Sequence, residues 1–553
     1  MVIVGVCSGL PLVWMAGAIF FASPEVRAEL HLTSFRVGLL LRTLGYNGLA
    51  AVIATAMGLP AAFVLGRGRG IVGKLMWVVL PAALLMPSLS YAYGWSQATR
   101  MLRVFLTDHF GLEFVQRFGL TFMPAGPADT LRCIWSLAGW LWAVPAGLIG
   151  LSLRRMDSSV QQQALLDGAM LRMTLRQLLP SVLASIAIVT IVATQEFAVY
   201  EPTGSSVVAT EVRMVFDTGA MSSPDNPIAG PTLGGMGQRS PDQAGRAAAA
   251  VATALPLVVV TFVLAIAVAW LASRAGTGDA VTVAGWPPVL DATWKSKLAT
   301  ILLLGVNLGI PVWALVVSLH ELGELGVGAV LRKMWRGFEP QILGALFVAV
   351  LTATLAGIAA FSASGRRMRW LPVLAGTTFL IGGQLLAIAD IRIYNHRWLE
   401  WVYNYFPAPV IVYGGRFGWL ALAASAATWT RPWRELRDMA SVDGASAFRT
   451  AWHVIWPLAT PLLLAGGLIV GALSMTEVPA TVLLFPQNPQ VLTPTLMTWV
   501  HMAQYDPMIE ASLLMMGVVV LPAVGAVLLT RLGIGIARRF TSNEPIDPSL
   551  PQS

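Results

Sequence analysis

Two glutamates stand inside apolar stretches of this chain, where an ionisable side chain is costly and is therefore a functional candidate. Glu196 lies in the apolar segment 182–200, and Glu477, two residues before Pro479, lies in the apolar segment 460–485. Paired carboxylates at such corresponding places would attract a hard cation or a cationic ligand. Pro479 would break its helix and free backbone groups that must be buried in protein or line a cavity. These three residues are our candidate translocation pathway; the alternative is that each glutamate hydrogen-bonds within a helical bundle or marks a helix end.

Other patterns that could carry chemistry are weak. The six histidines share no metal-ligand spacing, no metal site is assigned, and no G-x-S-x-G nucleophile elbow occurs. Two cysteines, Cys7 and Cys133, exclude a disulfide framework and a CxxC site. Residues 68–74 fit G-x4-G-K, but Leu75 stands where a P-loop needs Ser or Thr. We therefore expect no catalytic residue, no cofactor and no nucleotide site in this chain.

The elements that position these residues are membrane-spanning helices. Hydrophobic residues make up 56% of the chain and charged residues 12%, whereas about 25% charged is usual in soluble domains. A spanning helix needs about 20 mainly apolar residues. Twelve segments meet that requirement: 3–22, 37–66, 75–97, 133–152, 182–200, 248–272, 298–319, 341–363, 371–391, 408–428, 460–485 and 511–531. We interpret the first of them as a span rather than a cleaved signal. The fold class predicted is an all-α polytopic membrane protein.

The net charge of +8 is spread over short connections and forms no contiguous basic face, which argues against nucleic-acid binding. Twenty of the 36 Lys and Arg fall on one side of the twelve-span topology. By the positive-inside rule, that side is cytoplasmic. Within the spans, Arg416 and Asp390 are predicted to be structural partners.

One loop occurs twice in the chain. Residues 163–169 end at Asp167-Gly168-Ala169 and are followed by Pro180, and residues 439–445 end at Asp443-Gly444-Ala445 and are followed by Pro457. The glycines are 276 residues apart and the prolines 277, about half of the 553-residue length. Each loop is predicted to be two short helices joined at the glycine, with the proline where the chain turns back into the bilayer. The chain is thus predicted to hold two tandem six-helix halves, 1–275 and 298–553, joined by a cytoplasmic linker at 276–297.

These loops, at 157–180 and 433–457, resemble the EAA motif of ABC-importer permeases, Glu-Ala-Ala-x3-Gly-x9-Ile-x-Leu-Pro. In that family the motif forms the coupling helix that docks into a cytoplasmic ATPase. The second copy matches at Asp438, Ala440, Gly444, Ile455 and Pro457, and the first at Ala164, Gly168, Leu179 and Pro180. The first copy has Gln162 and Gln163 for Glu and Ala, and its Gly-to-Pro spacing is one residue short. The resemblance implies ATPase-coupling loops, unequal in strength, that include Ala164, Asp167, Gly168, Pro180, Asp438, Ala440, Asp443, Gly444 and Pro457.

The resemblance also implies a fold and a function. Two fused halves resemble the ferric-iron and thiamine group of type I (MetI-like) permeases, and residues 477–486 are similar to the E-L-P-A-T-x-L-L-x-P segment of ferric permeases. The implied protein is the non-enzymatic permease subunit of an importer in the bacterial inner membrane, with cytoplasmic loops, two copies of a separate ABC ATPase and a periplasmic or lipid-anchored binding protein. Ferric iron is the expected substrate. Thiamine, phosphonate, polyamine or another small solute is the alternative within the family, and an ion-gradient-driven secondary transporter is the alternative of another class.

Overall fold

A computed structural model of the chain is helical throughout the residues it describes, without a strand among them. The described residues are these: 1–28, 30–68, 71–117, 126–154, 156, 158–219, 243–274, 292–319, 326–364, 370–426, 431–486 and 488–541. Most of the predicted linker 276–297 lies outside this part of the chain. Its last residues do not form a linker, because a helix already begins at Trp294.

The helices fall into two series that share one order. The first series is α1 Val2–Phe20, α2 Ser34–Arg67, α3 Ile71–Leu84, α4 Ser88–Phe110, α5 Pro127–Arg154, α6 Ser158–Leu166, α7 Met170–Thr194, α8 Val208–Thr218 and α9 Gln243–Arg274. The second is α10 Trp294–Val317, α11 Val327–Ser364, α12 Trp370–Ile381, α13 Gly383–Tyr394, α14 Pro407–Ala426, α15 Arg431–Val442, α16 Phe448–Thr476, α17 Leu492–His501 and α18 Tyr505–Thr541. Each of these helices in the first series corresponds to the helix nine places later. In the described part of the chain, four α-helices of at most six residues lie between them: Pro24–Ala28, Leu112–Arg117, Glu400–Asn404 and Pro479–Leu484.

Nine helices among the described residues are long and apolar enough to cross a membrane, or up to eleven if each bent pair counts as one span. Nine of the twelve predicted segments fall on these nine helices, and the arrangement of twelve spans stays a prediction. The segments predicted at 75–97 and 371–391 are bent pairs, α3 with α4 at 94° and α12 with α13 at 100°. The segment predicted at 408–428 is α14, which is not among the nine and carries Arg416 in its middle.

The two bends occur at the same place in each series, between the third and fourth helices. In the second series the bend is made by Gly382, whose φ of 96° is a conformation that other residues adopt only with strain. Gly383 follows as the first residue of α13. This glycine pair brings the start of α13 close to Arg416 and Glu477.

The first helix of each series packs against the opposite series. In α10, the backbone carbonyl of Asn307 accepts a 2.7 Å hydrogen bond from the hydroxyl of Tyr91 in α4. In α1, the Ser8 hydroxyl lies 3.2 Å from the Thr378 hydroxyl of α12. Both first helices contain a five-residue π-helical turn, Gly5–Gly9 and Gly305–Gly309. We call this arrangement the exchange of first helices, and through it the two series pack together as one bundle.

Small residues allow the closest approach between helices. A Cβ added to Gly58 of α2 would lie 2.9 Å from the backbone nitrogen of Ala146 in α5, and one added to Gly150 of α5 would lie 2.9 Å from the Cβ of Leu65. Because lipid tails are as apolar as leucine, such van der Waals contact is a main source of helix association in a membrane.

Candidate functional site

In both copies of the duplicated loop, the helix before the glycine ends in the same way. The Ala169 amide donates to the Ala164 carbonyl at 2.9 Å, and the Ala445 amide donates to the Ala440 carbonyl at 3.0 Å. Each glycine lies between these two residues in the left-handed region, with φ of 65° at Gly168 and 76° at Gly444. This 6→1 bond around a left-handed residue is the Schellman helix end, which favours glycine because it has no Cβ. The predicted pair of helices joined at a glycine is correct in both copies.

Each loop shows an aliphatic side chain to solvent two residues before its glycine. Leu166 is 87% exposed and Val442 is 86% exposed. Asp167, Asp438 and Asp443 are exposed beside them. Exposed aliphatic side chains rimmed by charge, repeated at equivalent positions, are typical of a surface that a protein partner covers.

The two loops lie on one face of the bundle. Arg154, at the end of α5 and just before the first loop, stacks on the Trp77 ring of α3 at 4.8 Å. Lys74, also in α3, accepts at its backbone carbonyl a 2.7 Å hydrogen bond from the Arg531 side chain of α18. Gly533, one half-turn further, lies against the amino-terminal half of α16, which follows the second loop. A partner with two docking sites could therefore approach both loops from one side.

The prolines do not mark where the chain turns. Pro180 lies inside the continuous helix α7, and the helix that contains Pro457 runs unbroken to Thr476. The Gly-to-Pro spacing is twelve residues in the first copy and thirteen in the second. After the glycine, the next helical turn begins at Met170 in the first copy and at Ala447 in the second, so the second copy has one more residue outside the helix. The second copy also has a π-helical turn, Ala451–Ile455, directly before the proline; such turns are single-residue bulges within α-helices. The two copies therefore share the Schellman ending and differ in backbone between the glycine and the proline.

Glu196 and Glu477 lie at helix ends rather than inside helices. α7 ends at Thr194 and α16 ends at Thr476, so the segments predicted at 182–200 and 460–485 both stop early. Pro479 does not kink α16; it begins a separate short helix, Pro479–Leu484, because a proline is well tolerated in a first helical turn. The two glutamates, 281 residues apart in sequence, are brought together at the interface of the two series, where the charge of Glu477 acts on Glu196.

Arg416 is the cation of this cluster. Its Nε lies 2.8 Å from Glu477 Oε2, and both side chains are at least nine-tenths buried. Its Nη1 lies 3.5 Å from Gln195 Oε1. The predicted pairing of Arg416 with Asp390 is wrong: Asp390 is buried, and neither of its carboxylate oxygens has a hydrogen-bond partner among the described residues. Glu477 provides the nearer carboxylate because the break after α16 lets it face α14.

The carboxylate of Glu196 is only partly satisfied. It lies beside the Ser88 hydroxyl, at the bend between α3 and α4, and within electrostatic range of Arg416. Its Oε1 has no hydrogen-bond partner among the described residues, although the side chain is buried. Glu477 is better held, since its Oε1 also accepts a 3.2 Å hydrogen bond from the Ala480 amide. One guanidinium thus serves two buried carboxylates.

A narrow, partly open pocket adjoins this cluster between the two series. The end of α7 with α8 and α9 forms one wall, and the bend between α12 and α13 forms the other. Gln195, Gly382 and Gly383 belong to both the pocket and the cluster. A Cβ on Gly383 would overlap Glu477 Oε1 and would lie 3.0 Å from Arg416 Nη1.

Sequence reasoning identified the glutamates but missed the residues around them. Gln195 stands next to Glu196, and Ser88 and Gly383 occupy equivalent bends, so an alignment of the two halves by helix order would have drawn attention to them.

A scan against protein-family models, a search of curated proteins and a search of solved structures each found no match.

Proposed function

We propose that the chain is the permease subunit of an ABC importer, with two six-span, type I (MetI-like) halves in a bacterial inner membrane. The observation that carries the proposal is the pair of Schellman-ended loops, which share one backbone hydrogen-bond pattern and expose Leu166 and Val442 on one face. In this proposal that face is cytoplasmic and each loop enters one of two identical ATPase subunits. The chain makes and breaks no covalent bond; ATP is hydrolysed in the separate subunits.

Transport then follows from two packings of similar free energy, which partner binding biases. A periplasmic or lipid-anchored binding protein delivers the substrate to the opposite face. Closure of the ATPase pair on ATP moves the two loops. Because α6 leads into α7 and α15 into α16, that motion reaches the helix ends at Glu196 and Glu477. The pathway of this proposal runs past these residues.

Ferric iron is the substrate we propose, from the likeness of residues 477–486 to ferric permeases and the buried carboxylates at the interface of the two series. Thiamine, phosphonate, polyamine or another small solute is the second candidate, since a binding protein can choose the cargo. In a secondary transporter built on inverted repeats, the two halves would have opposite orientations across the membrane. The repeated helix order, with both loops on one face, favours the ATP-driven importer over that class.

The test is co-purification with an ABC ATPase subunit from the same genome. Valine at both Gly168 and Gly444 should abolish association, because a β-branched residue is strongly disfavoured at positive φ and neither site offers any other obstacle to a Cβ. The matched control puts valine at Gly147 and Gly376, which also have open space around Cβ but lie within helices α5 and α12. Association that survives in the loop variant would contradict the proposal.

A further inference from the structure

The cluster at the interface of the two series has an unbalanced charge. Glu196 and Glu477 are 6% and 4% exposed, and Arg416, 6% exposed, is their one nearby cation among the described residues. An uncompensated buried charge costs several kcal/mol, and an ion of opposite sign offsets that cost. The excess is one negative charge when both carboxylates are ionised, so the site favours a further positive charge.

The donor atoms of the cluster are all oxygens. The unpartnered Oε1 of Glu196, the carboxylate of Glu477, the side-chain carbonyl of Gln195 and the hydroxyl of Ser88 converge from three helix ends. Oxygen donors select hard cations, whereas softer metals prefer nitrogen and sulfur. No group of three or more His, Cys, Asp and Glu residues that could hold a metal occurs in the described part of the chain. Two carboxylates suit a transient seat, which a moving ion must be able to leave.

We propose that Glu196 and Glu477 form a cation seat on the transport pathway, and that Arg416 occupies this seat as a tethered counter-ion when no cargo is present. The inference rests on the proposed function in taking the cargo to be a cation, and it deepens it by naming the groups that receive that cargo. An arriving hard cation takes the place of the guanidinium between the two carboxylates. The adjoining pocket shares Gln195 and Gly383 with the cluster, so a cation that enters this pocket reaches the carboxylates.

The first test uses the purified full-length chain without any partner, so it is independent of the ATPase. Terbium(III) serves as a hard trivalent probe, and the nearby Tyr413 ring can sensitise its luminescence. Arg416→Gln should bind one additional terbium ion at least about tenfold more tightly than the wild type, because it removes a unit positive charge from a low-dielectric site. Arg416→Lys keeps the charge and should behave as the wild type.

The additional site should disappear when Glu196→Gln and Glu477→Gln are added to Arg416→Gln. The proposal would be overturned if the triple variant bound terbium as tightly as Arg416→Gln does. It would also be overturned if Arg416→Gln and Arg416→Lys bound terbium equally tightly. Arg416→Gln leaves two buried carboxylates without a cation and could fail to fold. A second variant, Glu196→Gln, keeps the Arg416–Glu477 pair and is therefore tested in the assembled transporter.

In proteoliposomes with the ATPase and binding protein, Glu196→Gln should lower ferric-iron uptake at least about tenfold by removing one of two attractive charges, while ATPase association stays unchanged. Unchanged uptake would overturn the cation seat and leave the importer proposal standing. Absence of ATPase association in the wild type would contradict the importer proposal alone, since the terbium result does not depend on it.

Discussion

Gly383→Ala tests whether the central ion pair depends on a missing side chain. The added Cβ would overlap Glu477 Oε1 and would lie 3.0 Å from Arg416 Nη1, so the ends of both side chains must move away from it. Removing one partner of a buried ion pair costs about 3–5 kcal/mol, and an added group that only displaces packed side chains costs less, about 1–3 kcal/mol. The free energy of unfolding, measured by titration with dodecyl sulfate in a mixed micelle, should fall by the smaller of these amounts. Gly376→Ala is the control, because its Cβ has open space and alanine favours a helix by about 0.5–1 kcal/mol over glycine.

A double-mutant cycle makes the argument sharper. In a Glu477→Ala background the overlapping oxygen is absent, so Gly383→Ala should then cost at most about 1 kcal/mol. Equal costs in the two backgrounds would refute the reasoning, because the loss would then come from the backbone of the bend and not from the ion pair. Gly382→Ala provides a comparison: its Cβ would make an ordinary 3.5 Å contact, but its φ of 96° should cost about 1–3 kcal/mol in either background.

Two further predictions concern the helices themselves. Deletion of His453 should remove the π-helical turn and leave ATPase association and stability nearly unchanged, because such a turn is a single-residue bulge. Deletion of the buried Ala459 in the regular part of α16 should abolish both, as measured by co-purification and detergent unfolding. Similar losses from both deletions would contradict this account of the π-helical turn. Tyr91→Phe removes the hydrogen bond to the Asn307 carbonyl between the two series and should lower the free energy of unfolding by about 0.5–1.5 kcal/mol. Substitution of the exposed Tyr405 by Phe is the control and should have no effect. An unchanged free energy of unfolding in Tyr91→Phe would show that this hydrogen bond does not stabilise the contact between the two series.

Much of this structure could be predicted from short sequence patterns, because a helix or a helix ending depends on residues that are close together in the chain. The apolar segments predicted most of the long helices, and the two glycines predicted the loop ends, since a Schellman ending is set by a few consecutive residues. The broken helices were harder. An apolar run of about 20 residues satisfies the length requirement of a span whether it is straight or bent at Gly382.

Long-range packing could not be predicted from spacing. The exchange of α1 and α10 between the series is carried by contacts such as Tyr91 with Asn307, which are 216 residues apart. The partner of Arg416 was predicted to be Asp390, whereas it is Glu477, because a break in α16 turns that glutamate towards α14. Such choices depend on which helix ends meet, and a single sequence does not encode that in its periodicity.

Photo-crosslinking from the two loops tests the central claim most directly. A photoreactive amino acid is placed at Leu166, at Val442 or, as a control of equal exposure, at Trp398, which is 89% exposed near the opposite end of α14. In membranes containing the whole transporter, the account predicts that both loop positions crosslink to the ATPase subunit and that Trp398 does not. Crosslinking of the ATPase at neither loop, or equally at Trp398, would contradict it.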